Sequence, residues 1–170
     1  MSASRALKLD LALGTRAWAP PRSRMNSWAA AALGKQGEGR EIAIRIVATR
    51  ESRALNKMWR GKDKPTNVLS FPAPPGFTGH GSRRGKPKDM ALPLGDLVIC
   101  AQVVRQEAVR DGKPVEAHWA HMVVHGTLHL AGYDHETGRR QRLRMERREI
   151  SVLKRFGIGN VLQRKACNGD

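Results

Sequence analysis

Apolar and polar residues alternate through Lys8-Leu9-Asp10-Leu11-Ala12-Leu13, the two-residue period of a strand with one buried face. Pro20 and Pro21 interrupt the chain, and the Ala-rich run over 27–33 predicts a helix followed by a loop over 34–39. Glu41-Ile42-Ala43-Ile44-Arg45-Ile46-Val47-Ala48 is the clearest strand, because β-branched residues suit a pleated, half-buried surface. Thr49 stands where it could cap a helix ending at Met58 or Trp59, with Leu55, Met58 and Trp59 on one face; the turn-rich stretch 61–65 ends it. A short strand over 68–71 stops at Pro72, and another covers 97–100. Between them, residues 74–93 are rich in Gly, Pro, Lys and Arg and have no period, which predicts a mobile basic loop.

Helical spacing dominates the remainder. Helices are expected over 101–110, 115–130 and 137–156, separated by Asp111-Gly112-Lys113-Pro114 and by Gly132. Gly157 stops the last of them, and residues 159–170 read as a loosely ordered tail. Trp28, Trp59 and Trp119 have apolar neighbours and are assigned to the core. The pattern predicts an α+β fold of about four strands in the first two-thirds of the chain and about five helices that close its last third, in one domain over 1–158.

Charge adds a partner. The 170 residues carry 31 Lys and Arg against 15 Asp and Glu, a formal charge of +16. Such an excess favours a polyanion, since each neutralised phosphate releases condensed counterions. Aromatic residues are only 5% of the chain, so recognition through backbone phosphates is expected, with little reading of bases. Cys100 closes an apolar run and Cys167 lies in the polar tail; neither belongs to a C-x-x-C pair, which argues against a disulfide framework or a thiolate metal site. No stretch approaches the ~20 apolar residues of a membrane span, and residues 1–21 alternate too much for a secretory signal. A cytoplasmic setting is expected.

Six histidines occur in the chain. His125 and His129 are four apart on a predicted helix and share a face. His135 follows after Gly132, a residue free to turn the chain sharply and return His135 as a third ligand. Three imidazoles predict one Zn2+ per chain with a fourth position left for water, the mark of a catalytic site. His121, one turn earlier, cannot join both helical partners on one ion and is read with His118 as packing or as support for a ligand. Asp134 either orients a ligand histidine or closes a turn. The spacing His125-x-x-x-His129-x-x-Gly132-x-x-His135 is also that of a metzincin-like metalloprotease, but Gly126 stands where such an enzyme needs its Glu general base.

Three segments carry a resemblance: Arg60-Gly61-Lys62-Asp63-Lys64-Pro65-Thr66-Asn67-Val68-Leu69-Ser70-Phe71-Pro72, then Leu94-Gly95-Asp96-Leu97-Val98-Ile99, then His125-Gly126-Thr127-Leu128-His129-Leu130-Ala131-Gly132-Tyr133-Asp134-His135. In this order they resemble the YbeY family of zinc-dependent endoribonucleases, with Met145 and Glu149 fitting the family's last helix and Asn67 standing where many relatives carry Asp. The resemblance implies a small mixed β-sheet packed with helices in a zincin-like arrangement, zinc at His125, His129 and His135, and Arg60 as the functional arginine. It also implies single-strand-specific cleavage in maturation of the 3′ end of 16S rRNA and in ribosome quality control. The implied partners are single-stranded RNA, the small ribosomal subunit with its rRNA, and a ribosome-associated GTPase or small-subunit ribosomal protein. Arg60 suits phosphate because its planar fork matches two oxygens. Lys62 and Lys64 are candidates for further phosphate contacts; Arg139, Arg140 and the arginines after them either track the RNA backbone or form a solvated helix face. A third reading is a non-catalytic ribosome-assembly factor in which zinc braces the fold.

Overall fold

A computed structural model describes residues 6–76 and 91–158. The alternating segments form one four-stranded sheet from β1 (Lys8–Leu13), β2 (Arg40–Val47), β3 (Val68–Pro72) and β4 (Leu92–Cys100), in spatial order β1-β2-β4-β3. β1, β2 and β4 run parallel, and β3 closes the edge antiparallel to β4. The register places Leu9 beside Ile42, Leu97 beside Ile44 and Ile99 beside Ile46, so that alternate residues of three strands bury together. With the five α-helices of the described residues around it, the fold is α+β with a mixed sheet.

β4 is longer than the expected strand over 97–100. Pro93 and Gly95 look like breakers, yet a register shift between Glu41 and Ile42 lets the strand continue from Leu92. Residues 92–93 therefore belong to the sheet rather than to the expected loop over 74–93, whose residues 77–90 lie outside those described. The expected tail over 159–170 lies outside them as well.

Helix α1 (Arg22–Leu33) begins directly after Pro21, well before the alanine run, and a 3-10 turn at Gly34–Gly37 occupies part of the expected loop. Helix α2 (Thr49–Arg60) corrects two expectations. Its N-cap is Ala48, and the Thr49 backbone N–H donates to Gln102 Oε1 (3.0 Å); the Thr49 side chain makes no cap. The inward face of α2 is polar. Ser52 Oγ donates to the Thr66 carbonyl (2.8 Å) and accepts from the Thr66 N–H (2.9 Å), while Asn56 Nδ2 donates to the Lys64 carbonyl (2.8 Å). These bonds satisfy the backbone of the turn after the helix. Met58 points away from that polar face (72% exposed), whereas Trp59 shares the stripe of Ser52 and Asn56 but stands in the last turn, 63% exposed. Trp28 and Trp119 are buried as expected; Trp59 is not.

Helices α3 (Ala101–Arg110) and α4 (Val115–Leu130) match expectation, and α5 spans Arg139–Lys154. α4 packs against α1, α3, α5, β3 and β4. That central position explains its buried Trp119, Val123, Val124 and Leu128, apolar nearly all round. Beyond its first turn one stripe of α4 opens outward, and His121, His125 and His129 occupy it.

Candidate metal centre

His125 and His129 sit one turn apart on α4. The helix closes with the N–H of Gly132 on the His129 carbonyl (3.0 Å) and that of Tyr133 on the Leu128 carbonyl (3.0 Å). Gly132 takes φ +94°, and the chain doubles back to bring His135 over the helix end. The nitrogen donors of His125, His129 and His135 then lie within 4.8 Å of one another. Ring centroids are 4.7 Å apart for His125–His129, 4.8 Å for His129–His135 and 5.3 Å for His125–His135.

Glu149 of α5 is the carboxylate behind this group. It is only 4% exposed, its Oε1 lies 2.5 Å from His125 Nδ1, and its Oε2 lies 3.4 Å from His121 Nε2. Burial alone would raise its pKa; hydrogen bonds from His121 and His125 overcome that and hold it at about 2. An anionic Glu149 fixes His125 with Nδ1 turned inward, leaving Nε2 as the donor toward the cleft. His121 is thus joined to His125 through Glu149, and burial lowers its own pKa. Asp134 has a different partner: its Oδ1 accepts the Glu136 N–H (2.7 Å), closing the turn that carries His135.

Burial, and then the neighbouring His125 and His135, lower His129 to about 4. Three imidazoles with His129 kept neutral suit Zn2+, whose structural chemistry favours nitrogen donors. A depressed histidine resists protonation in the fold while the unfolded chain takes up the proton near its ordinary 6.5, so stability should fall as pH drops from about 6.5 to about 4. NMR titration of the metal-free protein should place the His129 midpoint near 4; a midpoint near 6.5 would show the ring to be fully solvated.

A cleft of about 430 Å³ opens in front of the histidines, and Arg60, Lys62, Lys64 and Ser70 line it with them. Arg60 ends α2 and is 46% exposed. Its Nη2 reaches Glu136 Oε1 (2.7 Å) across the cleft, and that guanidinium lowers the pKa of Glu136. Ser70 Oγ donates to the Gly126 carbonyl (3.2 Å), tying edge strand β3 to α4. Gly126 faces the sheet: a Cβ there would lie 2.9 Å from Leu97 Cδ2 and 3.2 Å from Val68 Cγ2. The position that carries a metzincin's general base is therefore filled by packing.

Arg139 and Arg140 are exposed in the first turn of α5 and are not among the residues lining the cleft; Arg140 borders a separate depression with Leu143, Arg144 and Arg147. His118 turns away to Glu107 (2.7 Å), which also receives Asn67 Nδ2 (3.1 Å). Glu149 and Glu136 were not picked out as site residues by sequence reasoning. Glu149 had a signal, as the lone acid in line with Met145, Val152 and Leu153 on the buried side of a basic helix. Glu136, next to His135, looked like any turn residue.

A family model described as Endoribonuclease YbeY matches residues 21–157. A curated relative, "Endoribonuclease YbeY" of Halorhodospira halophila, is 48% identical over 149 residues, covering 86% of this chain and 90% of its own. A solution structure from Thermotoga maritima shares the fold, with a TM-score of 0.54 at 22% identity and 95% coverage of both chains.

Proposed function

The chain belongs to the YbeY family of endoribonucleases, and on that premise we propose that it cuts single-stranded RNA at a zinc ion held by His125, His129 and His135. The cellular task is maturation of the 3′ end of 16S rRNA, with a part in ribosome quality control. It is carried out in the cytoplasm by a single domain over residues 1–158. No described helix is long and apolar enough to cross a membrane. The partners are the small ribosomal subunit and its rRNA, with a ribosome-associated GTPase or small-subunit ribosomal protein directing the enzyme to them.

One observation carries this reading: three convergent imidazoles open onto a cleft that also presents Arg60, Lys62 and Lys64. A divalent ion held by His125, His129 and His135 would supply Lewis acidity for phosphodiester cleavage. Arg60 leaves Glu136 to pair with the phosphate oxygens, where its fixed fork shares the charge that grows toward the transition state. Released by that exchange, the Glu136 carboxylate takes the proton of the attacking hydroxyl as its oxygen bonds to phosphorus, the scissile P–O bond breaks, and the departing ribose oxygen takes a proton from water. Lys62 and Lys64 neutralise the flanking phosphates, and Glu149 keeps His125 in register.

Zinc-loaded and chelator-treated protein, each incubated with single-stranded ribosomal RNA and with a peptide library, tests the reading. Only the loaded protein should cut, and only RNA. Arg60→Ala should retain its zinc and its melting temperature while kcat falls by roughly 10²–10³. Cleavage of peptides but not RNA would replace the nuclease by a protease, and full RNA cleavage by Arg60→Ala would remove Arg60 from the chemistry.

A further inference from the structure

The cleft handles phosphates, but one apolar feature at its rim has no role in that chemistry. Trp59 and Met58 are exposed at the end of α2, and Trp59 follows the cleft-lining Asn56 by three residues on the same stripe of the helix. In a chain with a mean hydropathy of −0.51, two large apolar side chains exposed side by side call for a partner. Their position identifies it. Trp59 meets the ring of Phe71 edge-on, with centroids 5.6 Å apart and planes at 69°. Phe71 lies on β3 between Ser70 and Pro72, both of which line the cleft. The contact holds the indole against the strand that borders the cleft while leaving it mostly exposed.

We propose that Trp59 is a stacking platform for a nucleobase of the single-stranded RNA whose adjoining phosphate is gripped by Arg60. This rests on the endoribonuclease reading above and adds a base subsite to it. Consecutive residues have Cα atoms about 3.8 Å apart, so Trp59 and Arg60 can serve the base and phosphate of one nucleotide. Every base has a π-face, and an aromatic platform therefore grips without selecting sequence. The surroundings favour RNA over protein. Arg60, Lys62 and Lys64 supply positive charge along the strand's path. The two side chains also offer far less than the roughly 800 Å² per partner of a stable protein interface, whereas one aromatic residue covers about 150–250 Å².

The test is steady-state cleavage by the zinc-loaded full chain of a short single-stranded RNA, intact or with one abasic nucleotide placed at each position in turn. Trp59→Ala should raise KM roughly tenfold or more with kcat little changed, and Trp59→Phe should restore most of the loss. At one position the abasic nucleotide should raise KM for the wild type and add nothing for Trp59→Ala. An unchanged KM in Trp59→Ala, or additive losses at every position, overturns the platform while the nuclease stands. Loss of binding to isolated small ribosomal subunits with an unchanged KM overturns the substrate platform and makes the patch a docking contact with the subunit instead. A wild type that cuts no RNA at all removes both readings together.

Discussion

Alanine at His129 is expected to cost the protein its metal and its RNA cleavage while leaving the fold standing; alanine at His125 is expected to cost the fold as well. His129 lies half-buried at the cleft wall, and its loss removes one of three nitrogen donors. Affinity for zinc should fall by more than the roughly 10–100-fold that follows loss of a partner behind a ligand. Cleavage should fall by at least about 10²–10³, the range for removing one group that stabilises developing charge. His125 has a second duty, because its Nδ1 faces Glu149 Oε1 at 2.5 Å and Glu149 is 4% exposed. Removing it leaves a buried carboxylate with only His121 at 3.4 Å. Breaking a buried pair from one side costs about 3–5 kcal/mol.

Melting both variants in metal-free buffer, beside measurements of zinc stoichiometry and RNA cleavage, separates bracing from catalysis. With zinc absent, His129→Ala should melt near the metal-free wild type and His125→Ala well below it. Should the loaded wild type owe most of its stability to zinc, and every ligand variant unfold alike, the ion braces the fold and the assembly-factor reading gains. A His125→Ala protein as stable as the wild type would mean that Glu149 does not depend on it.

The difference between these two histidines marks how far the sequence is legible. Spacing alone identifies His125, His129 and His135 as candidates, because helical geometry and one glycine act over a few residues. The same holds for the Ile42, Ile44 and Ile46 row and for the limits of α3 and α4. What escapes is set by distant partners. Glu149 reaches His125 across 24 residues, and Arg60 reaches Glu136 across 76. Trp59 reads as core from its apolar neighbours, but the stripe of α2 that it shares with Ser52 and Asn56 is committed to Thr66 and Lys64, and the indole in the last turn stays exposed. Pro93 reads as the end of a loop and Gly95 as lying ahead of the strand for the same reason: the shifted register on β2 that admits them into β4 leaves no trace in their own neighbourhood.

Gly95 is also where a single methyl group should do the most damage to the fold. It takes φ +149°, and an added Cβ would lie 2.4 Å from the Phe71 carbonyl oxygen, 2.9 Å from Pro72 Cα and 2.8 Å from Leu130 Cδ2. Two of these are backbone atoms of β3, which cannot retreat without opening the pairing of Pro72 with Gly95 and Phe71 with Asp96. The third belongs to the last residue of α4, just ahead of the turn that returns His135. Strain at a conformation reserved for glycine costs about 1–3 kcal/mol, and overpacking a further 1–3. For Gly95→Ala the sum is roughly 3–5 kcal/mol, or about 10 °C or more in melting temperature for a chain of this size. Gly132→Ala is the control: φ there is +94° but nothing lies within 4 Å of the added Cβ, so it should bear only the conformational part. Thermal melts of the two variants side by side decide the matter, because equal losses would mean that β3 does not press on β4 at Gly95, and the edge strand that frames the cleft would have to lie further out.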